Sequence, residues 1–471
     1  MRRQLPDRSH YSVILQKMEK KELIGRITSG RLFCFFSAAV FLFFYTGYFF
    51  RELWFDEVLT LQFALLPSAG DIYRSYTIPN NQIIHTVFIH WLLNFFPPEY
   101  LRLFPLLCAG ALIFILWKNF SRELGRLPLF TALTALVLSP PFLLYSSALR
   151  GYMLAALFAV CALTGGRKYA LAGKKRHLGQ WFIFSLLTVG VMPSALAAIG
   201  AAGLYIVPYC GKKFWKNPRL YIMALAVPAA FTAFYIPISG KLLRAFELRE
   251  GWHDASGALL ATGLAVLTTF LIPLTAGIFF HRPVWRNFPR TLIWFLPAGG
   301  WLLPVSPFPR VWFVLFAFFA LLTAGYLRRM PGKYLRITAA AALLWGTVCS
   351  LEFFREKLSP LVSSGGQDDF YAPYFVSGKF LPSDTAAAVN RQFAFDHPVF
   401  VSFAADPFAI RYRRHSVIMD IPPGRIKKLP PGTVVILGKT EDTGHWERHL
   451  QCELTEIYRN DLHRVYIIRQ P

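Results

Sequence analysis

The residues most suited to chemistry lie in short polar runs between long apolar ones. The first is Arg51-Glu52-Leu53-Trp54-Phe55-Asp56-Glu57, an acidic pair beside bulky aromatics. At a membrane surface such a carboxylate serves as a proton acceptor or holds a cation. Asp56 before Val58-Leu59-Thr60-Leu61 is also a good helix N-cap, and the spacing does not choose between the two.

A second run, Pro79-Asn80-Asn81-Gln82-Ile83-Ile84-His85-Thr86, places His85 one helical turn beyond Asn81, with an amide and an imidazole on one face. Capping by Asn80 or Asn81, with His85 packed at an interface, would produce the same spacing. A third run, Tyr145-Ser146-Ser147-Ala148-Leu149-Arg150-Gly151-Tyr152, sets an arginine between two apolar stretches. A guanidinium there matches phosphate oxygens, or it snorkels to anionic headgroups.

The elements that must position these groups are membrane helices. Of 471 residues 55% are hydrophobic and 16% aromatic, and the mean hydropathy is +0.40, which no ordinary globular core requires. Eleven apolar stretches are expected to span: 32–50, 101–117, 128–145, 152–165, 179–192, 193–210, 219–237, 258–280, 291–304, 311–326 and 335–352. A basic stretch precedes the first of them and no small-residue cleavage site follows, so residues 1–31 read as a retained cytoplasmic N-terminus.

The net charge of +24 records topology rather than affinity for nucleic acid. With the N-terminus inside, the cytoplasmic connections 118–126, 167–176, 212–219, 282–290 and 328–336 hold nineteen basic residues and one acid, Glu123. The opposite loops balance eight basic residues with eight acidic ones, an asymmetry that follows the positive-inside rule. It requires two short spans in 179–210, broken at Met192-Pro193. It also makes 81–96 an interfacial helix anchored by Trp91, inside an external loop 51–100. Residues 32–352 are then the transmembrane domain. Residues 353–471 turn polar, with strand-like runs Pro398–Phe403, Thr433–Leu437 and Arg464–Ile468, and read as a small extracytoplasmic α/β domain.

Together the three runs resemble the GT-C superfamily of membrane glycosyltransferases, in the branch of the protein O-mannosyltransferases and the lipid A aminoarabinose transferase, over about residues 30–330. That branch has an Asp-Glu pair after the first span, matched by Asp56-Glu57; the resemblance makes both catalytic candidates and gives Asp56 the role of base. Some members read Asn-Asn-His-x-x-His where this chain has Asn80-Asn81-Gln82-Ile83-Ile84-His85, so Gln82 departs from the pattern. The family's Tyr-Ser-x-x-Ala-Arg-x-Tyr is matched by Tyr145 to Tyr152, including Arg150 and Tyr152, and Pro309-Arg310 is similar to its late Pro-Arg.

The resemblance implies inverting transfer of a sugar from a polyprenyl-phosphate or -diphosphate donor to a glycan, lipid or protein acceptor, outside the inner (plasma) membrane. It also implies Arg150, Tyr152, Arg310, Asn81, Gln82 and His85 as donor-binding candidates. The external loop Gly240–Ser256, with Arg244, is a further candidate for closing over the donor.

Some GT-C members use a divalent cation and the better-matched branch generally does not; no cluster in this sequence demands a metal. His415, His445 and His463 are too scattered for zinc, and no Walker or dinucleotide motif occurs. Cys452 is the only cysteine of the polar tail, so no internal disulfide framework forms there. Ser363–Tyr371, with Gly365-Gly366 and Asp368-Asp369, reads as a linker and domain start. Two rival readings stay open: a polytopic transporter or lipid flippase, for which mid-span charges and repeated halves are missing, and a non-catalytic GT-C-like assembly protein.

Overall fold

The computed structural model describes residues 35–47, 49, 55–74, 82–97, 100–210, 218–240, 255–280, 288–302, 309–358, 382–394, 397–402, 417–419, 426–438, 441–460 and 463–469. Asn80, Asn81, Arg244 and the segment 363–371 lie outside the described residues.

Helices form along each of the expected apolar stretches, but they are not alike. Among the described residues six are long and apolar enough to cross a membrane singly: Leu103–Leu124, Tyr152–Ala172, Pro193–Cys210, Ser256–Phe280, Pro309–Leu327 and Gly332–Phe353. A bent pair, Arg126–Val137 and Pro140–Ser147, meets at 67° and makes a seventh candidate span if the two are counted as one. Pro140 and Pro141 cannot continue the ladder of the preceding helix, and Ser139 caps the second one by accepting from the Phe142 N–H at 3.4 Å. This bend turns the residues leading to Arg150 into the interior. The remaining stretches give shorter helices, Phe35–Gly47, Lys175–Val191 and Pro218–Tyr235, and an irregular 3-10 stretch, Leu292–Leu302, that contains Pro297.

Two helices are central. Windows of Tyr152–Ala172 and Pro309–Leu327 are 72% and 83% buried, whereas Ser256–Phe280 is 28% buried and turns most of its surface outward. Close approach explains the first: an added Cβ on Gly165 would stand 2.8 Å from the Trp181 nitrogen, and one on Gly166 would stand 2.5 Å from the Trp181 ring. Without a hydrophobic drive between helices inside lipid, such small residues let backbones meet. Helix Tyr152–Ala172 accordingly packs on Leu103–Leu124, Lys175–Val191 and Leu196–Cys210.

The expected break at Met192-Pro193 is present: Met192 is extended and Pro193–Ala195 forms a 3-10 turn. Helix Ile83–Leu92 occupies the middle of 81–96; its ten residues reach about 15 Å, half of a ~30 Å hydrocarbon core. At the other end of the bundle Glu123 pairs with Arg167 at 2.5 Å and Arg290 at 3.8 Å, and accepts from the Tyr209 hydroxyl.

The C-terminal region forms a five-stranded sheet, β1 Val399–Val401, β2 Val417–Met419, β3 Val434–Gly438, β4 Glu453–Arg459 and β5 His463–Arg469, in order β2-β1-β3-β5-β4. β1 runs parallel to β2 and β3, and β5 antiparallel to β3 and β4. Strand alternation puts Val399, Val401, Val434 and Ile436 in one cluster with Val389 of helix Pro382–Gln392. Phe400, Val435 and Leu437 enter another with Trp446 and Leu450 of helix Thr443–Leu450. β2 and β4 were not among the expected strands. β4 has a mixed burial pattern, as a strand at the sheet's edge does.

Candidate active site

Asp56 and Glu57 stand in the first turn of helix Phe55–Ala64, both buried. The Asp56 carboxylate meets Arg310, with Nη2 at 3.3 Å from Oδ2, and Arg310 Nε donates to the Tyr152 hydroxyl at 3.0 Å. Arg310 begins the 3-10 stretch Pro309–Leu315, and Tyr152 begins the central helix Tyr152–Ala172. Three segments far apart in sequence thus meet at one carboxylate.

Arg150 approaches from the turn preceding that helix. It is only 2% exposed, and its Nη1 donates to the Asp56 carbonyl at 3.1 Å and to Thr60 Oγ1 at 3.0 Å. The guanidinium stands 6.0 Å from the centre of the Tyr152 ring. Tyr145 completes an aromatic wall, with its ring centre 4.8 Å from Tyr152 and 4.7 Å from Phe313.

Glu57 faces away from this cluster. It pairs with Arg102 at 3.0 Å and accepts from the Leu149 N–H at 2.7 Å, while Arg102 Nη1 donates to the Phe49 carbonyl at 2.7 Å. It therefore ties the helix bearing Asp56 to the turn bearing Arg150.

Helix Ile83–Leu92 closes another side. Gln82 Oε1 accepts from the Gly151 N–H, and Gln82 Nε2 lies 3.8 Å from Met192 Sδ. His85 is 1% exposed, with its ring 6.0 Å from that of Phe104, and among the described residues neither ring nitrogen has a hydrogen-bond partner. Burial, and then the charge of Arg150, pushes its pKa down to about 3, so the imidazole is neutral.

Of the residues singled out from sequence, Asp56, Arg150, Tyr152 and Arg310 share one cluster, Gln82 and His85 flank it, and Glu57 sits behind it; Asn81 and Arg244 lie outside the described residues. Arg102 and Thr60 were not anticipated as site residues. Arg102 carries a signal like that of Arg150, a basic residue at the edge of an apolar stretch, whereas Thr60 is marked only by standing one turn after Asp56. Among the described residues the two carboxylates Asp56 and Glu57 stand with three guanidiniums, Arg102, Arg150 and Arg310. Among the described residues no group of three or more His, Cys, Asp or Glu could hold a metal ion.

An apolar cavity of about 580 Å³ lies between helices Phe35–Gly47, Leu103–Leu124 and Arg126–Val137, walled by Phe41, Leu106, Ala109, Ile113, Leu133 and Phe142 and by none of the residues of the carboxylate cluster. Phe142 belongs to the helix that carries Tyr145.

No protein-family model and no curated protein sequence matches the chain. Solved structures do. The crystal structure of ArnT from Cupriavidus metallidurans in the apo state superposes with a TM-score of 0.59 at 13% identity, covering 94% of this chain and 98% of that one. ArnT bound to undecaprenyl phosphate gives 0.56 at 13% identity, covering 92% and 97%. The architecture is an ArnT-like fold: a helical bundle of membrane-spanning length and composition with a small C-terminal sheet.

Proposed function

We propose that this chain is a glycosyltransferase that moves a sugar from a polyprenyl-phosphate-linked donor to an acceptor on the extracytoplasmic side of the membrane. The observation that carries this reading is the convergence of Arg310 and Arg150 on Asp56 inside a fold shared with a protein solved bound to undecaprenyl phosphate.

Transfer to a hydroxyl requires three things at once. The acceptor oxygen bonds to the anomeric carbon and gives its proton to a base. The bond from that carbon to the carrier phosphate breaks, leaving its electron pair on the phosphate oxygen. That growing negative charge is stabilised.

Asp56 is the base. Arg150 and Arg310 stabilise the phosphate, with Tyr152 orienting Arg310, and a guanidinium fork suits two phosphate oxygens at once. The neutral His85, with both ring nitrogens unpartnered, is available to a donor hydroxyl or phosphate oxygen. Glu57 holds the scaffold through Arg102 and Leu149 and does not take part in the chemistry. The apolar cavity beside Phe142 suits an isoprenoid tail. Asn81 and Arg244 remain donor-binding candidates, and the chemistry so described calls for no cation.

Eleven spans, a cytoplasmic N-terminus and an extracytoplasmic C-terminal domain in the inner (plasma) membrane complete the reading; the acceptor is a glycan, lipid or protein. The test is incubation of purified protein in lipid with a panel of polyprenyl-phosphate sugars, comparing wild type with Asp56→Asn. Consumption of a donor that vanishes in the variant supports the enzyme and identifies its sugar. Binding without consumption of any donor would overturn it in favour of a transporter or a non-catalytic assembly protein.

A further inference from the structure

Gln82, at the start of helix Ile83–Leu92, differs from its neighbours in the cluster because both ends of its amide are taken up by the protein. The oxygen accepts from the Gly151 N–H and the nitrogen faces Met192 Sδ at 3.8 Å. It is 3% exposed. An amide with both ends so engaged has little left to offer a ligand.

What it does instead follows from its partners. Gly151 is bonded directly to Arg150, and Met192 is the extended residue at the break between helices Lys175–Val191 and Leu196–Cys210. Gln82 therefore joins the short helix, the turn that carries Arg150, and the break between two long helices. The junction is tight: a Cβ on Gly151 would stand 2.6 Å from Val191 Cγ1, 3.0 Å from Gln82 Oε1 and 3.0 Å from His85 Cβ. Gly151 has φ −73°, so its backbone is ordinary and glycine is needed for space alone.

We infer that Gln82 is a positioning residue: its amide pins Gly151 to helix Ile83–Leu92 and so sets where the Arg150 guanidinium meets Asp56 and the donor phosphate. An amide, unlike an imidazole, keeps its accepting oxygen at every physiological pH, so the pin does not loosen with acidification. The inference rests on the glycosyltransferase reading for its consequence and on geometry alone for the pin.

The test uses full-length protein in lipid with three variants, Gln82→Met, Gln82→Glu and Arg150→Lys, and the double variant Gln82→Met/Arg150→Lys. Hydrogen–deuterium exchange over residues 148–152 reads the pin; donor kinetics read its consequence. Gln82→Met is expected to speed exchange there and raise the KM for the donor about tenfold, the loss of one buried hydrogen bond, with kcat changed much less. In the Arg150→Lys background it adds little further, because both act through one guanidinium. Gln82→Glu, which keeps the accepting oxygen, restores slow exchange. Wild-type exchange and KM in Gln82→Met, or a loss that multiplies fully with that of Arg150→Lys, would overturn the inference. If wild type consumes no donor, the glycosyltransferase reading falls, while exchange at 148–152 still decides whether the pin exists.

Discussion

Arg310 and Asp56 are separated by 254 positions in the chain, and their side chains meet at 3.3 Å between Nη2 and Oδ2. Both are almost fully buried. A charge pair out of water persists only when each member has its counter-charge and further hydrogen bonds; Arg310 also donates to Tyr152, and Arg150 holds the backbone carbonyl of Asp56.

Asp56→Asn removes the proposed base while nearly preserving shape. Donor consumption should fall about 10²- to 10⁴-fold, the usual worth of general base catalysis, with donor binding retained. Rates on purified variant whose size-exclusion profile matches wild type check this; an active variant sinks the role.

Arg150→Ala should weaken donor binding by tenfold or more, since charge-assisted hydrogen bonds contribute about 1.5–3 kcal/mol each. It also leaves Thr60 and the Asp56 carbonyl without this donor, so Arg150→Lys is the gentler partner variant. Equilibrium binding of undecaprenyl phosphate is the measurement, and unchanged affinity in both variants would remove Arg150 from the donor site.

Glu57→Gln should act on stability first. It leaves Arg102 buried without its carboxylate, at a cost of about 3–5 kcal/mol, and Arg102→Met in the same chain should recover part of it. Thermal unfolding in detergent reads this. Unchanged stability with lost turnover would move Glu57 into the chemistry.

Gly151→Ala should cost about 1–3 kcal/mol through overpacking, because the new methyl meets Val191 at 2.6 Å. Adding Val191→Ala should return much of the stability. A Gly151→Ala protein with wild-type melting temperature and activity would show that the junction has room to spare.

His85 should make the protein sensitive to acid. Its folded pKa of about 3 lies below the ordinary 6.5, so between those values the unfolded chain binds the additional proton. Stability is therefore whole above about pH 6.5 and declines as pH falls, by up to ~1.4 kcal/mol per unit. His85→Leu should flatten the slope of melting temperature between pH 7.5 and 5.5; equal slopes in the two proteins would contradict a buried neutral imidazole.

The sequence by itself determined that the chain is a helical membrane protein with a polar C-terminal sheet region, because apolar run length and strand alternation are local patterns that solvent imposes. It also marked Asp56, Arg150 and Arg310, since an ionisable residue beside an apolar stretch is costly without a partner. Only the tertiary structure decided which partner each one has. Glu57 and Asp56 are adjacent in the chain, yet one turns to Arg102 and the other to Arg310, and nothing in their local sequence separates them. Burial was equally hidden: Tyr152–Ala172 and Ser256–Phe280 are both apolar enough to cross a membrane, and only packing made the first central and left the second facing outward. Gln82 read as a departure from a pattern until its oxygen was found on Gly151. The reason is common to all three cases. Hydropathy reports the solvent a residue prefers, whereas contacts between distant segments depend on how helices cross, which no short stretch of sequence encodes.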